Sequence, residues 1–155
     1  MFAIREMVVG DIDDVLRLAA ETPEAPQWGR GAYELVAAQH TQYEASRAGW
    51  VAVNDVELLG FVIAKRVTDT SELESIVVAN SARRKGIGRA LLSAVTNWAL
   101  ASGAQKLELE VRGGNESAIA FYQGAGFIRE GRRPRYYRDP EEDAVLMGTR
   151  LYSDD

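Results

Sequence analysis

Residues 72–102 read ELESIVVANSARRKGIGRALLSAVTNWALAS, and the fold follows from how this stretch divides. Leu73 to Val78 is a short apolar, β-branched run, the pattern of a buried strand. The cationic run Arg83-Arg84-Lys85-Gly86-Ile87-Gly88-Arg89 comes next. Ile87, Ala90, Leu91, Ala94, Val95 and Trp98 then recur at helical spacing, and Gly103 is placed to end the helix. Strand, basic glycine loop and helix start together make an anion site. The first-turn N–H groups lack intrahelical partners, the helix dipole favours negative charge, and glycines admit a phosphate to the backbone.

Spacing excludes two familiar anion loops. A Walker loop needs four residues between its glycines and then Gly-Lys-Ser/Thr, which is absent. A dinucleotide fingerprint needs a third glycine where Leu91 stands. Arg83-x-x-Gly86-x-Gly88 instead resembles the pyrophosphate loop of the GCN5-related N-acetyltransferases (GNAT), which bind acetyl-CoA. The resemblance implies a cofactor role for Arg83, Arg84, Lys85, Gly86, Ile87, Gly88 and Arg89. An ordinary strand-to-helix turn with a solvated basic face is the alternative at this point.

Composition narrows the classes. A chain of 155 residues suits one domain, here 1–155, and its 46% hydrophobic content suits a buried core. The net charge of −5 argues against broad affinity for nucleic acid or a membrane surface. Basic residues gather instead in Arg83 to Arg89 and Arg129 to Arg138. There is no cysteine, which removes disulfides, thiolate chemistry and cysteine zinc sites. The lone His40 reads as a polar helix or loop residue, so no metal site is expected. Without a leader-like or bilayer-spanning stretch, the expected setting is cytoplasmic, as a monomer or weak dimer.

From the start, Phe2 to Val8 reads as a strand and Asp11 to Ala20 as a helix, broken by Thr22 to Pro26. A second helix is expected over Arg30 to Ala45, with Tyr33, Val36, Ala37 and Tyr43 toward the core. Trp50 to Val53 and Leu58 to Val67 form an expected hairpin. After the central strand and helix come a strand at Lys106 to Val111 and a helix at Glu116 to Ala125, with Asn115 as N-cap. Strands at Phe127 to Arg133 and Ala144 to Tyr152, joined by a charged loop, close the chain. That order predicts a single α/β domain with a mixed sheet, including one right-handed parallel strand–helix–strand unit.

The second informative segment is LELEVRGGNESAIAFYQGAGF, residues 107–127. Glu108 and Glu110 share one strand face, opposite Leu107, Leu109 and Val111. Either glutamate is a candidate base or a merely solvated carboxylate. Tyr122, about two turns past Asn115, reads as core filling when taken alone. However, LEVRxxNxxAIxxYxxxGF is similar to the segment of the RimI-type ribosomal-protein alanine N-acetyltransferases. GRRPRYYRDPEEDAVLM likewise resembles that family's GxRxxYYxxxxEDAxxM end.

By matching position, the resemblance gives Glu110 the general-base role and Tyr122 the general-acid role. Asn115 would contact the CoA arm, and the backbone of Ile76, Val77 and Val78 would hold pantetheine. Trp28, Tyr136 and Tyr137 would line the acceptor groove. The chain departs from the family's Pro-Trp-Ser by reading Gln27-Trp28-Gly29, which removes a Ser cap.

The implied acceptor is a protein N-terminal peptide, the N-terminal alanine of a small-subunit ribosomal protein. Alternatives left open are lysine side chains, small amines, or a non-catalytic acyl-CoA-binding domain. An α-amine, with a pKa of ~7.7–8.0 against ~10.4 for lysine, needs only modest help near neutrality, so a carboxylate working directly or through one water suffices.

Overall fold

The computed structural model describes residues 1–39 and 46–151. His40, Tyr43 and Tyr152 lie outside the described residues, as does the expected end of the second helix at Ala45. The elements are β1 (Ala3–Glu6), α1 (Ile12–Ala20), α2 (Arg30–Gln39), β2 (Arg47–Val53), β3 (Leu58–Val67) and β4 (Thr70–Val78). They continue with α3 (Ile87–Ala101), β5 (Lys106–Arg112), α4 (Glu116–Gly124), β6 (Ile128–Tyr137) and β7 (Glu142–Arg150). This is the expected order.

Local chemistry sets the boundaries. Asn115 Oδ1 accepts the Ala118 N–H at 3.2 Å and caps α4. Gly103 (φ 81°) and Gly126 (φ 100°) take the left-handed turn that stops α3 and α4. The N–H groups of Ala104 and Phe127 then reach back to the carbonyls of Ala99 and Tyr122 at 2.9 and 3.0 Å. At the start of the chain, the Asp11 carboxylate receives Arg5 through two bonds of 2.8 Å and the Val8 N–H at 2.8 Å, fixing β1 against α1.

Five strands exceed the expected limits, β5 by Arg112 alone and β7 by starting at Glu142, the other three by more. β2 begins at Arg47 rather than Trp50, because Ala48 and Gly49 are buried strand residues despite their small size. A Cβ on Gly49 would stand 2.9 Å from Val36 Cγ1 and 3.0 Å from Ile63 Cδ1, so the gap is filled by α2 and β3. β4 begins at Thr70 rather than Leu73, carrying Ser71 and Glu72 into the sheet. β6 runs to Tyr137, so Tyr136 and Tyr137 stand on a strand and not in a charged loop. Ion pairs Arg132–Asp143 and Arg135–Glu141, both 3.2 Å, let this cationic segment pair along the sheet edge.

The seven strands form one sheet in the order β1-β2-β3-β4-β5-β7-β6. All neighbours are antiparallel except β4 and β5. That parallel pair runs only from Thr70↔Lys106 to Leu73↔Leu109. At this level Ala64 opposes Leu73 while Ile63 opposes Ser75, so Glu74 is an extra residue, a bulge that bends β4. Beyond it β4 and β5 share no pairs, and a gap opens between residues 74–78 and 110–112.

Each sheet face has its own core. On one, α3 and α4 bury Ile87, Leu91, Val95, Ile119 and Tyr122 against Val62, Leu73, Leu107 and Leu109. On the other, α1 and α2 bury Ile12, Val15, Tyr33 and Val36 against Val51, Phe61, Ile63 and Val77. Full burial of each such aliphatic side chain contributes about 1.5–3 kcal/mol. Leu73 and Val77 lie at the even spacing of a single face, yet the Glu74 bulge delivers them to opposite cores.

Candidate active site

The gap between β4 and β5 is built by interrupted pairing, so it is lined by backbone as well as side chains. β4 stays paired with β3 as far as Gly60↔Val78. A Cβ on Gly60 would stand 2.7 Å from the Val77 carbonyl oxygen, so that carbonyl is turned toward β3. Alternation along the strand then turns the polar groups of Ile76 and Val78 toward the gap. Val77 sends its own side chain into the α1–α2 core.

At the end of β4, the chain passes a short 3-10 turn, Asn80–Ala82, into the basic loop. Arg84 (φ 65°) and Gly86 (φ 82°) adopt left-handed backbone, and Gly86 is the N-cap of α3 without any side-chain cap. The first amides of this 15-residue helix are therefore open to an external acceptor. Arg83, Arg84 and Lys85 surround them in exposed positions. These residues fit a pyrophosphate: bare helix amides, a favourable dipole and three exposed cations.

The other loop positions divide. Ile87 is buried in the core, so only its backbone can face a ligand. A Cβ on Gly88 would lie 3.3 Å from Phe121 Cζ, which makes Gly88 the point where α3 passes close to α4. Arg89 leans away from the loop toward the Gly124 carbonyl, at 3.4 Å. Asn115 spends its side-chain oxygen on the α4 cap, which leaves its amide nitrogen as the side chain's remaining donor.

Glu110 is the first residue of β5 past the last β4 pair, on the face opposite Leu109 and Val111. Arg133 Nε meets its Oε1 at 3.1 Å. Tyr122, on α4, belongs to the core on the opposite sheet face, 7% exposed and packed edge-on between Phe121 and Phe127 at 5.3 and 5.7 Å. Burial, aided by nearby Tyr137, pushes its phenol above the ordinary range. Tyr137 is pushed up to about 12, first by burial and then by the charge of Glu110. Tyr137 thus stands electrostatically between Glu110 and Tyr122.

Tyr136 and Tyr137 meet edge to face at 5.0 Å. The Glu110 charge, then burial, raise the Tyr136 phenol. Arg112 stacks over Tyr137 at 4.5 Å while donating to the carbonyls of Arg138 and Pro140, each at 3.1 Å. Glu142 meets Arg112 at 3.3 Å and accepts the Gly114 N–H at 2.7 Å. This network ties the tyrosine wall to the start of α4. At the α1–α2 core, Trp28 packs on Tyr33 at 5.5 Å, and Arg47 lies over its ring at 5.5 Å. Arg47 also grips the bulge residue Glu74 at 2.7 Å, so the Trp28 segment is fastened to β4.

Sequence reasoning passed over Glu72, Arg47, Arg112 and Arg133. Glu72 lies level with Glu108 on the face that carries Glu110. Burial raises its pKa, opposed by Lys65 and assisted by Glu74, Glu110 and Glu108. The parity of Glu72, Glu108 and Glu110 was readable, but only the parallel register puts them side by side. Arg133 and Arg112 gave no signal beyond charge, because their partners lie 23 and 30 positions away in the chain.

The profile of the acetyltransferase (GNAT) family matches residues 12–127. The Escherichia coli K12 ribosomal protein bS18-alanine N-acetyltransferase is 38% identical over 93 residues, covering 59% of this chain and 63% of that protein. The chain thus spans less than two thirds of that relative's length. The Mycobacterium tuberculosis N-alpha-acetyltransferase RimI is 34% identical over 116 residues, covering 72% of this chain and 68% of that one. The crystal structure of the E. coli ribosomal-protein-S18-alanine N-acetyltransferase superposes with a TM-score of 0.80 at 25% identity, covering 100% of this chain and 97% of its own. A profile match over most of the chain, on a sheet that parts between β4 and β5, places the protein in the acetyltransferase (GNAT) family.

Proposed function

We propose that this chain is a single-domain, cytoplasmic, acetyl-CoA-dependent N-acetyltransferase acting on the N-terminal α-amine of a protein. The first acceptor to test is the N-terminal alanine of a small-subunit ribosomal protein, the substrate type in the relatives' names. One observation carries the reading: the pairing of β4 with β5 stops one residue before Glu110, leaving strand backbone unpaired beside that carboxylate, and β4 leads on to an uncapped helix start.

Acetyl-CoA would supply an acyl thioester, and the chain's residues handle the protons. Glu110 takes the proton that the acceptor ammonium must lose before its nitrogen can attack the carbonyl carbon. Tyr122, kept protonated by burial, supplies the proton that the departing sulfur gains as the carbon–sulfur bond breaks, and the second proton that the nitrogen sheds as the amide forms restores the phenol. N–H groups of Ile76 and Val78 would polarise the carbonyl. The basic loop with Asn115 holds the CoA end, while Trp28, Tyr136 and Tyr137 wall the acceptor.

The test compares an Ala-Arg-Tyr peptide with the same peptide blocked at its α-amine and extended by a lysine. Faster turnover of the free α-amine is expected, and equal or better turnover of the lysine peptide overturns it. Glu110→Gln should lower kcat by about 10²-fold or more while leaving the acetyl-CoA-induced thermal shift intact. A wild-type kcat in that variant removes Glu110 from the chemistry.

A further inference from the structure

The Glu110 carboxylate is already engaged by a cation of the chain itself. Arg133 Nε sits 3.1 Å from Oε1, and the same guanidinium lies over the Tyr136 ring, 5.5 Å from its centre. A carboxylate on one side and an aromatic face on the other is the chemistry that holds an organic cation. The seat lies on the sheet face carrying Glu72 and Glu108, at the first β5 residue beyond the parallel pairing. We propose that Arg133 occupies the seat of the acceptor's ammonium, acting as a built-in competitor that each acceptor must displace to reach Glu110. This rests on the reading of Glu110 as the base.

The surroundings fit a seat that must always hold a cation. Glu72, Glu108 and Glu110 bring three carboxylates to one strip of the face. Lys65 is turned to Glu72 and Glu74, at 3.8 and 3.9 Å, and Lys106 to Glu130 at 2.5 Å. Arg133 is the cation that meets Glu110, and the negative potential felt by Glu72 reflects the crowding.

The occupant is also built to leave. The Arg133 side chain is 57% exposed against 21% for Glu110. β6 is an edge strand, and its pairing with β7 breaks between Arg133 and Tyr137. Turning Arg133 out therefore disturbs no core side chain and exchanges one solvent-screened ion pair for another. An α-ammonium fits the vacated place through its charge and three donors. A neutral or bulky group has nothing to offer against the guanidinium. Arg133 thereby sets a threshold for acceptors, and it belongs to specificity rather than to the bond-making step.

The test is Arg133→Ala, with Arg133→Gln as a second variant preserving bulk, each checked by thermal melting. The KM for an Ala-initiated peptide is expected to fall about fivefold, the factor to which such an ion pair amounts, with the acetyl-CoA KM unchanged. Millimolar guanidinium should inhibit both variants competitively against the peptide and spare the wild type, whose seat is filled. In a Glu110→Gln background, Arg133→Ala should leave the peptide KM unchanged. A rise in peptide KM, or a loss of kcat at constant KM, would mean that Arg133 orients Glu110, and overturns the proposal. If Glu110→Gln is slow yet Arg133→Ala shows no fall in KM, only this inference fails. If Glu110→Gln turns over normally, the reading of Glu110 fails first.

Discussion

Tyr122→Phe isolates the proton donor from the packing around it. The ring stands between Phe121 and Phe127 with centroid distances of 5.3 and 5.7 Å, and phenylalanine keeps both contacts. Removing one hydroxyl from a side chain only 7% exposed should shift stability by less than about 1 kcal/mol. The catalytic cost is of another order. General-acid assistance is worth about 10²–10⁴-fold, or ~3–5 kcal/mol of barrier. Release of the CoA thiol gives the assay, and a chain without cysteine adds no thiol background. Because burial and Tyr137 raise the phenol, wild-type kcat should show no alkaline loss through pH ~10, where an unperturbed tyrosine would titrate. A variant that melts like the wild type and turns over at the wild-type rate would refute the role. So would a decline of wild-type kcat centred near the ordinary tyrosine value.

Gly88→Asp brings a charge to the open amides of α3 and a Cβ to 3.3 Å from Phe121 Cζ. Acetyl-CoA at a hundredfold excess over Kd should stabilise the wild type by ~2.7 kcal/mol, and most of that thermal shift should vanish in the variant. Asp11→Asn should cost about 1–2 kcal/mol at neutral pH, the lower part of the range because Arg5 is 45% exposed. Burial works against the Asp11 carboxylate, but Arg5 and the Val8 N–H overcome it and hold the pKa below the usual range. Its stabilisation is therefore full above the ordinary carboxylate value and lost as pH falls through the folded one, so the two proteins' denaturation midpoints should converge in acid. Arg112→Ala frees the carbonyls of Arg138 and Pro140 and unstacks Tyr137. Peptide KM should rise by about three- to tenfold at constant acetyl-CoA KM, as expected for loss of roughly one cation–π contact.

The sequence revealed those features that have a local cause. Apolar periodicity, the Gly103 stop and the Asn115 cap located the helices, and strand parity put Glu110 opposite Leu109. What escaped was non-local. The even run Ser71, Leu73, Ser75, Val77 reads as one buried face, yet Glu74 splits it, and no residue type announces a bulge. The parting of β4 from β5 depends on where pairing stops, which is a property of two segments 36 residues apart. The charge run at Arg129 to Arg138 looked like solvated loop because its neutralising partners arrive only when β7 folds back. Tyr122 was legible as a buried aromatic, and its chemical role came from resemblance alone.

The division of the interior into two cores has a consequence for how the protein can be altered. Helices α1 and α2 carry the Trp28 segment on one core, and α3 and α4 carry the basic loop and Tyr122 on the other. Most interior residues thus belong to one ledger or the other, and changes on opposite faces should combine additively. β4 is the exception, sending Leu73 to one side and Val77 to the other. The strand works as a hinge pin between two replaceable leaves: on the proposed reading, a new acceptor preference can be carved into the α1–α2 leaf while the leaf proposed to hold the cofactor is left untouched.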